Sequence, residues 1–442
     1  MMNHRLKRLW GLILLLPATM GWAQEEGDNQ LDVNLQMLGH GEMRFGGLGE
    51  NSSEDEQNDD RAYFLMGRTR LSIDYKRTGL ETKVVAQHSG IWGQKGQGNF
   101  NLYEAWAKLS LRNGLFGQIG RQALAYDDER IIGTNDWAMA ALSHDVLRVG
   151  YEGSQHKVHA IFAFNQNAEN TYGGTYYENG AQPYKTMQTL WYHYDIPKFP
   201  LGASLLFMNI GMQGGTRESS SNEKVKDIYQ QLIGSYIKFN PGKFSAEASY
   251  YHQLGRNEDD LKIDAWMASV KANLQVSKQV KTEVGYDYLS GDPYFAVPSK
   301  GHIGITRHEV IKGFNPIYGS HHKFYGMMDF FYVMTYFNGF TPGLQNLYAG
   351  ADYAPIDKLN LKMRYHYMSM ATKLSEMDKT LGHDLDIEAS YQIAKDTRLS
   401  LGFSYMIGTE SMEKLKRAEK DNNLKWAWFS LLVSPRLFST RW

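Results

Sequence analysis

Cysteine is absent from all 442 residues. That excludes disulfides, thiolate nucleophiles and thiolate metal sites, and an exported chain of this kind needs no oxidising step to fold. Proline is scarce, at 11 residues, while glycine and tyrosine are plentiful, at 43 and 28. A Pro-poor, Gly-rich, aromatic-rich composition suits many paired strands; it also suits a large secreted β-sandwich or propeller. Beyond the N-terminus no apolar run approaches the ~20 residues a transmembrane helix needs. The longest, 205–210 and 429–433, are far shorter. One-signed charge is missing too: 47 Lys and Arg face 48 Asp and Glu, for a net charge of −1. No global field therefore points to a nucleic-acid partner.

The N-terminus carries Arg5, Lys7 and Arg8, an apolar stretch over 9–16, Pro17, and then Gly21-Trp22-Ala23. This is the layout of a secretory signal, too short and wrongly flanked for a membrane helix. Cleavage is expected after Ala23, giving a signal peptide over 1–23 and a mature chain over 24–442. Mean hydropathy is negative. In a membrane barrel, lipid-facing and lumen-facing residues alternate and cancel in any window, so that value does not exclude membrane insertion.

Period-two alternation decides between the readings. Residues 359–369 read LNLKMRYHYMS, with Leu359, Leu361, Met363, Tyr365 and Tyr367 on one face and Asn360, Lys362, Arg364 and His366 on the other. The same split recurs over 62–75, 279–289 and 383–392. One apolar face with aromatic ends and one charged face is the pattern of a membrane strand. A sandwich strand alternates as well, but here short and long links also alternate. Tight links fall near 77–80, 112–115, 152–156, 197–201, 240–243, 275–279, 354–359 and 393–398. Longer polar stretches occupy 46–60, 90–99, 126–144, 166–184, 212–227, 254–260, 290–343, 370–382 and 409–423. The expectation is an all-β transmembrane antiparallel barrel of about eighteen strands, with short periplasmic turns and long external loops, in the bacterial outer membrane. Residues 327–337 (MMDFFYVMTYF) are assigned to the long seventh loop rather than to a nineteenth strand. The last strand is read as 424–435, and the chain ends on Trp442. The acidic run ENSSEDEQNDD is read as a solvated loop, since it lacks the spaced ligands of a calcium site.

Polar strand faces then point into the lumen. They bring basic residues, among them Arg68, Arg70, Arg121, Arg148, Lys362 and Arg364, and acids including Asp74, Glu283, Asp287, Asp384, Asp386 and Glu388. Basic side chains can hold carboxylates, and interspersed acids keep the contact transient. Most of these charges are expected to pair with one another, because an unpaired buried charge is costly. Arg68 with Arg70, and Lys362 with Arg364, are the candidates for a surplus. Asp128 and Arg130 belong to a charged run, Tyr126-Asp127-Asp128-Glu129-Arg130, that can fold inward and narrow the pore. The expected pore-lining and solute-binding set is Arg68, Arg70, Arg121, Arg130, Arg148, Lys362, Arg364, Asp128, Asp384 and Glu388.

Two segments stand out. One is Gly120-Arg121-Gln122, the charged run after it, and Asp136-Trp137; the other is His322-Lys323-Phe324-Tyr325-Gly326 with Met328-Asp329 and Gly343-Leu344-Gln345-Asn346-Leu347-Tyr348. Together with the strand pattern they resemble the alginate-export family of outer-membrane proteins, over most of the mature chain. The resemblance implies a monomeric eighteen-stranded barrel whose Arg/Lys-rich pore passes an anionic polysaccharide, with barrel-assembly machinery and periplasmic secretion components as partners. One departure is the link 393–398, short where the pseudomonad alginate exporter has a long gating turn; it favours a more general anionic-saccharide or small-solute porin. A plugged structural or adhesin barrel is the third reading. No cofactor or metal is expected: neighbouring His321 and His322 on an extended chain point opposite ways. No enzyme is expected either, because His159, His193 and His366 fall on lumen faces without a nucleophile nearby in sequence.

Overall fold

The computed structural model describes residues 28–442 apart from 47–60, 97, 173–174, 178–179, 215–225, 259, 294–309, 332–340, 375–376 and 417–422. The signal-peptide reading and the acidic run therefore lie outside the described residues.

Among the described residues, twenty strand segments form one sheet. In chain order they are β1 (Gln30–Phe45), β2 (Arg61–Arg77), β3 (Leu80–Ile91), β4 (Asn99–Ser110), β5 (Leu115–Gln122), β6 (His144–Glu152) and β7 (His156–Phe164). Then come β8 (Thr186–Asp195), β9 (Leu201–Gly214), β10 (Lys226–Phe239), β11 (Phe244–Arg256), β12 (Lys262–Gln275) and β13 (Val280–Leu289). The rest are β14 (Val310–Ile311), β15 (Leu344–Ile356), β16 (Leu359–Ser369), β17 (Thr380–Ala394), β18 (Thr397–Gly408), β19 (Leu424–Val433) and β20 (Arg436–Arg441). β14 is a two-residue piece lying parallel to the start of β12. β19 and β20 are two halves of one strand, both paired with β1. Eighteen antiparallel staves remain, and the β1–β19/β20 seam closes the sheet. Closure removes the free edges, the condition for a sheet to sit in hydrocarbon.

The eight expected turns all connect neighbouring strands, and the nine expected long links all emerge at the opposite end. The strand reading of 424–435 stops short, however. After a break at Ser434-Pro435, β20 continues along the start of β1. Asn29 and Trp442 then exchange backbone hydrogen bonds of 3.0 and 3.1 Å. Proline cannot donate to the ladder, so the strand bends there and resumes. Of residues 327–337, those up to 331 lie in the seventh loop with no strand; 332–337 are outside the described residues.

Outward positions are apolar and exposed, for example Leu190, Ile233, Val284, Met363 and Leu401. These meet lipid. Inward positions divide the barrel into two. On β1–β6 and β13–β18 they are largely polar. On β8–β10 and β12 the inward positions toward the long-loop end are apolar: Met187, Leu206, Met208, Ile210, Leu232, Ile263, Ala265 and Met267 are all buried. An eighteen-stranded barrel is wide enough to leave an aqueous channel. Here the apolar wall is covered because loops fold in against it. Because the ladder is closed, unboiled protein should run at a different position from boiled protein on a denaturing gel. Identical migration would contradict a closed barrel.

Candidate functional site: the loop strut and the lumen chambers

Two loops enter the lumen: residues 123–143 (L3) and the described parts of 290–343 (L7). L3 leaves the wall between β5 and β6, and L7 between β13 and β15, almost opposite each other around eighteen staves. They meet in the lumen through a parallel bridge, Ile132 with Tyr318. Gly133 N–H donates to Tyr318 O (2.9 Å), Tyr318 N–H to Ile131 O (3.1 Å) and Ser320 N–H to Glu129 O (2.8 Å). This approach needs two glycines. A Cβ at Gly319 would lie 2.2 Å from Arg130 O, and one at Gly133 would lie 2.4 Å from Ser320 Oγ.

Side chains lock this strut to the wall. Arg130, 2% exposed, pairs with Asp128 at 3.2 Å and with Asp287 of β13 at 3.1 Å. It donates to Tyr325 Oη at 3.1 Å and lies 3.9 Å from the Phe324 ring centroid. Burial opposes its charge, but Asp287, Tyr325 and Asp128 outweigh that and hold its pKa well above the ordinary value. Trp191 of β8 donates to Asp127 (3.1 Å), and the Tyr126 hydroxyl lies 2.9 Å from His159 Nδ1 of β7. Trp137 stacks on His322 at 3.9 Å and packs edge-on against Trp428 at 4.8 Å. On L7, Met327 N–H donates to Asp386 of β17 (2.9 Å), and Asn315 exchanges hydrogen bonds with Gln253 of β11. Backbone strain gathers in the same loops: Asp127, Glu129 and Asn135 in L3, and Ile317, Tyr325 and Asp329 in L7, take left-handed φ values. For branched Ile317 this conformation is costly, and the surrounding contacts must hold it.

Beneath the strut lie two chambers. One, of about 540 Å³, is bounded by Arg68, Lys362, Glu388, Arg398 and Trp428 and roofed by Asp136 and Trp137. The other, of about 440 Å³, lies along β7–β10 with Lys157, His193, Asp195 and Lys238, under Asp127.

The expected set separates accordingly. Arg68, Lys362 and Glu388 come together in the first chamber, and Arg70 stands beside Arg68, sharing Asp136 with it. Lys362 and Glu388 are 3.5 Å apart. Arg148 is inward and donates to Gln118 at 2.6 Å. Arg364 is bound up with Glu283. Asp128 and Arg130 form part of the strut and do not line the path. Asp384, 2% exposed, is sealed beneath Gly326. Arg121 does not face the lumen: it shares the outward face of exposed Ile119 and pairs at 2.7 Å with Asp145, which shares the face of Leu147. In LFGQIGRQ the inward parity belongs to Phe116, Gln118 and Gln122, whose neighbours across the sheet include inward Arg148. His159, His193 and His366 are inward as read. His321 and His322 diverge, one toward Pro316 O and the other onto Trp137. Sequence reading missed Asp136 and Arg398. Asp136 had the strongest signal, since it carries the acid of the Asp-Trp pair already singled out.

The clasp between Lys323 of L7 and Glu129 of L3 predicts a pH response. Burial raises the Glu129 carboxyl, but the bonds from Lys323, Ser320 and the Thr134 N–H prevail and hold its pKa below the ordinary value. A depressed acid stabilises the fold above its unfolded pKa, about 4.3, and that stability is lost as pH falls through the folded value. Channel noise and mean conductance should therefore rise on acidification below that range. Glu129→Gln should be noisy already at neutral pH and respond less to acid; a Gln variant with the wild-type acid response would remove this clasp from the account.

A closed eighteen-stave barrel with inward-folded loops and a charged lumen defines an outer-membrane channel of the porin type, in the bacterial outer membrane. A model of the alginate export family matches residues 89–407, most of the chain, and the protein belongs to that family. Solved structures share the fold. OccK2 (OpdF) of Pseudomonas aeruginosa superposes with a TM-score of 0.60 at 11% identity, over 92% of this chain and 98% of that one. A BenF-like porin from Pseudomonas fluorescens Pf-5 gives 0.59 at 13% identity, over 92% and 99%. No curated protein matches.

Proposed function

We propose that the channel passes anionic saccharides of the uronate type, acting as a single barrel and without chemistry on the solute. The observation that carries this is the charge balance of the first chamber. Arg68 and Arg70 share one carboxylate, Asp136. Lys362 is set against Glu388, and Arg398 adds a further cation to the lining. The surplus is positive, amid hydroxyls of Ser390, Ser400 and Ser430 suited to sugar. Membership of the alginate export family supports the reading, as does a structure of OccK2 from P. aeruginosa in complex with glucuronate. The tight turn between Ala394 and Thr397 is too short to reach under the mouth as a gate, which favours short oligosaccharides and small carboxylates over a gated polymer path.

Reversal potential in a salt gradient and block by an oligouronate test this on the purified barrel. Wild type should prefer anions and be blocked from millimolar oligouronate downward. Replacing Lys362 and Arg398 together by Gln should lower the anion preference several-fold, since basic rings set anion selectivity. A wild-type channel indifferent to oligouronate would overturn the proposal.

A further inference from the structure

Asp136 of L3 sits on two arginines of the barrel wall. Arg68 is 3% and Arg70 8% exposed, both on the wall strand β2. Arg70 Nη1 lies 2.6 Å from Asp136 Oδ1, and Arg68 reaches the same carboxylate at 3.3 and 3.4 Å. The guanidinium groups are fixed from behind: Gln87 Oε1 accepts from Arg70 Nε (2.7 Å), Gln36 Oε1 from Arg68 Nη2 (3.1 Å), and the Tyr103 ring centroid lies 4.0 Å from Arg70. Arg68 Nε and Arg70 Nη2 are buried and have no hydrogen-bond partner among the described residues. Two planar donor forks thus meet one carboxylate and still have unused donors. Such forks match carboxylates in geometry as well as charge.

The two sides of this contact differ in permanence. The arginines belong to a barrel stave. The acid belongs to a loop, next to Asn135, whose φ is +45°. Its side chain is 47% exposed, and it borders the chamber of about 540 Å³. We propose that Arg68 and Arg70 form a carboxylate-binding site that Asp136 occupies in the resting channel as an internal stand-in, and that the carboxylate of an arriving uronate binds there by displacing it. This rests on the reading of the channel as one for carboxylate-bearing saccharides. Displacement removes the side-chain tether of the L3 segment that roofs the chamber and leaves its backbone held by Arg68 through Asp136 O (2.9 Å) and Ala138 O (3.1 Å), so solute binding loosens the roof without unseating it. The tethered acid competes at an effective concentration on the order of millimolar. Binding therefore stays weak enough for release, as conduction requires.

The test is titration of single-channel block by glucuronate, acetate and glucose on wild type, Asp136→Ala and Asp136→Asn, each checked for heat-modifiable migration. Removing the internal acid should tighten glucuronate and acetate at least tenfold and leave glucose unchanged. Adding Arg68→Gln and Arg70→Gln to Asp136→Ala should abolish that gain. If neither Asp136 variant tightens either carboxylate, or if glucose gains equally, Asp136 is no competitor and the proposal falls. If acetate tightens while glucuronate neither blocks nor permeates any variant, the carboxylate site stands and the saccharide reading of the channel fails.

Discussion

Arg130→Met should give a barrel that still folds but conducts more and with more noise. The guanidinium is buried between Asp128 and Asp287 and touches Tyr325 and Phe324, so it ties L3 to L7 and to the far wall. Removing one partner of a buried ion pair costs about 3–5 kcal/mol, because the remaining charge is left without compensation. That loss falls on the strut, since none of these bonds belongs to the strand ladder. Asp287 keeps Ser269 Oγ at 2.7 Å and Asn346 Nδ2 at 3.0 Å, so the β13 wall has partners left. The variant should keep its unboiled gel position, gain protease cleavage within L3, and show a several-fold rise in open-state conductance. Adding Asp287→Asn removes the orphaned charge and should restore expression without restoring the wild-type conductance. Wild-type conductance and protease resistance in Arg130→Met would show that the strut holds without it.

How much of this was legible in sequence depends on which surface a residue meets. Over residues 359–369 one face meets lipid and the other polar lumen, and alternation reads plainly. Over β9 it does not: Leu205 and Phe207 meet lipid while Leu206, Met208 and Ile210 meet the loop-filled lumen, so both faces are apolar. The strand survives in the reading because its flanking turns are clear. Pairing of loops is harder still. Arg130 finds Asp287, and Glu129 finds Lys323, across the barrel and far along the chain. Nothing local in either segment names its partner. The charged run was readable as inward-folding, but its Asp128 and Arg130 hold the strut together, and most of the chamber lining comes from strand residues. Arg121 shows the opposite failure. Its motif drew it into the lumen set, although the parity of its own strand places it outside.

Excising most of L7 should have the largest effect on conductance. The loop neck makes this feasible. Asp292, 2% exposed, accepts from the N–H groups of Lys312 (2.5 Å), Gly313 (3.0 Å) and Thr341 (2.9 Å), and its own N–H donates to Thr341 O at 2.6 Å. Burial lifts its pKa, against the lowering pull of those three N–H bonds. Positions 292 and 341 are therefore already adjacent, and a short Gly/Ser bridge from Pro293 to Thr341 needs no movement of β13 or β15. What leaves includes Phe314, Tyr318, Tyr325, Met328 and Phe331, all buried. Their burial, at roughly 1.5–3 kcal/mol each, holds the strut and not the barrel. L3 then loses the bridge at Tyr318 and the clasp at Lys323 while keeping Asp136 on Arg68 and Arg70. Single-channel conductance should rise several-fold, and the heat-modifiable band should persist. The apolar inner positions at the loop end of β8–β10 and β12, newly wet, should lower expression. Loss of the folded band alone would show that L7 is needed for assembly, and Arg130→Met then tests the strut in a full-length chain. A folded deletion with unchanged conductance would mean that the path never runs past L7.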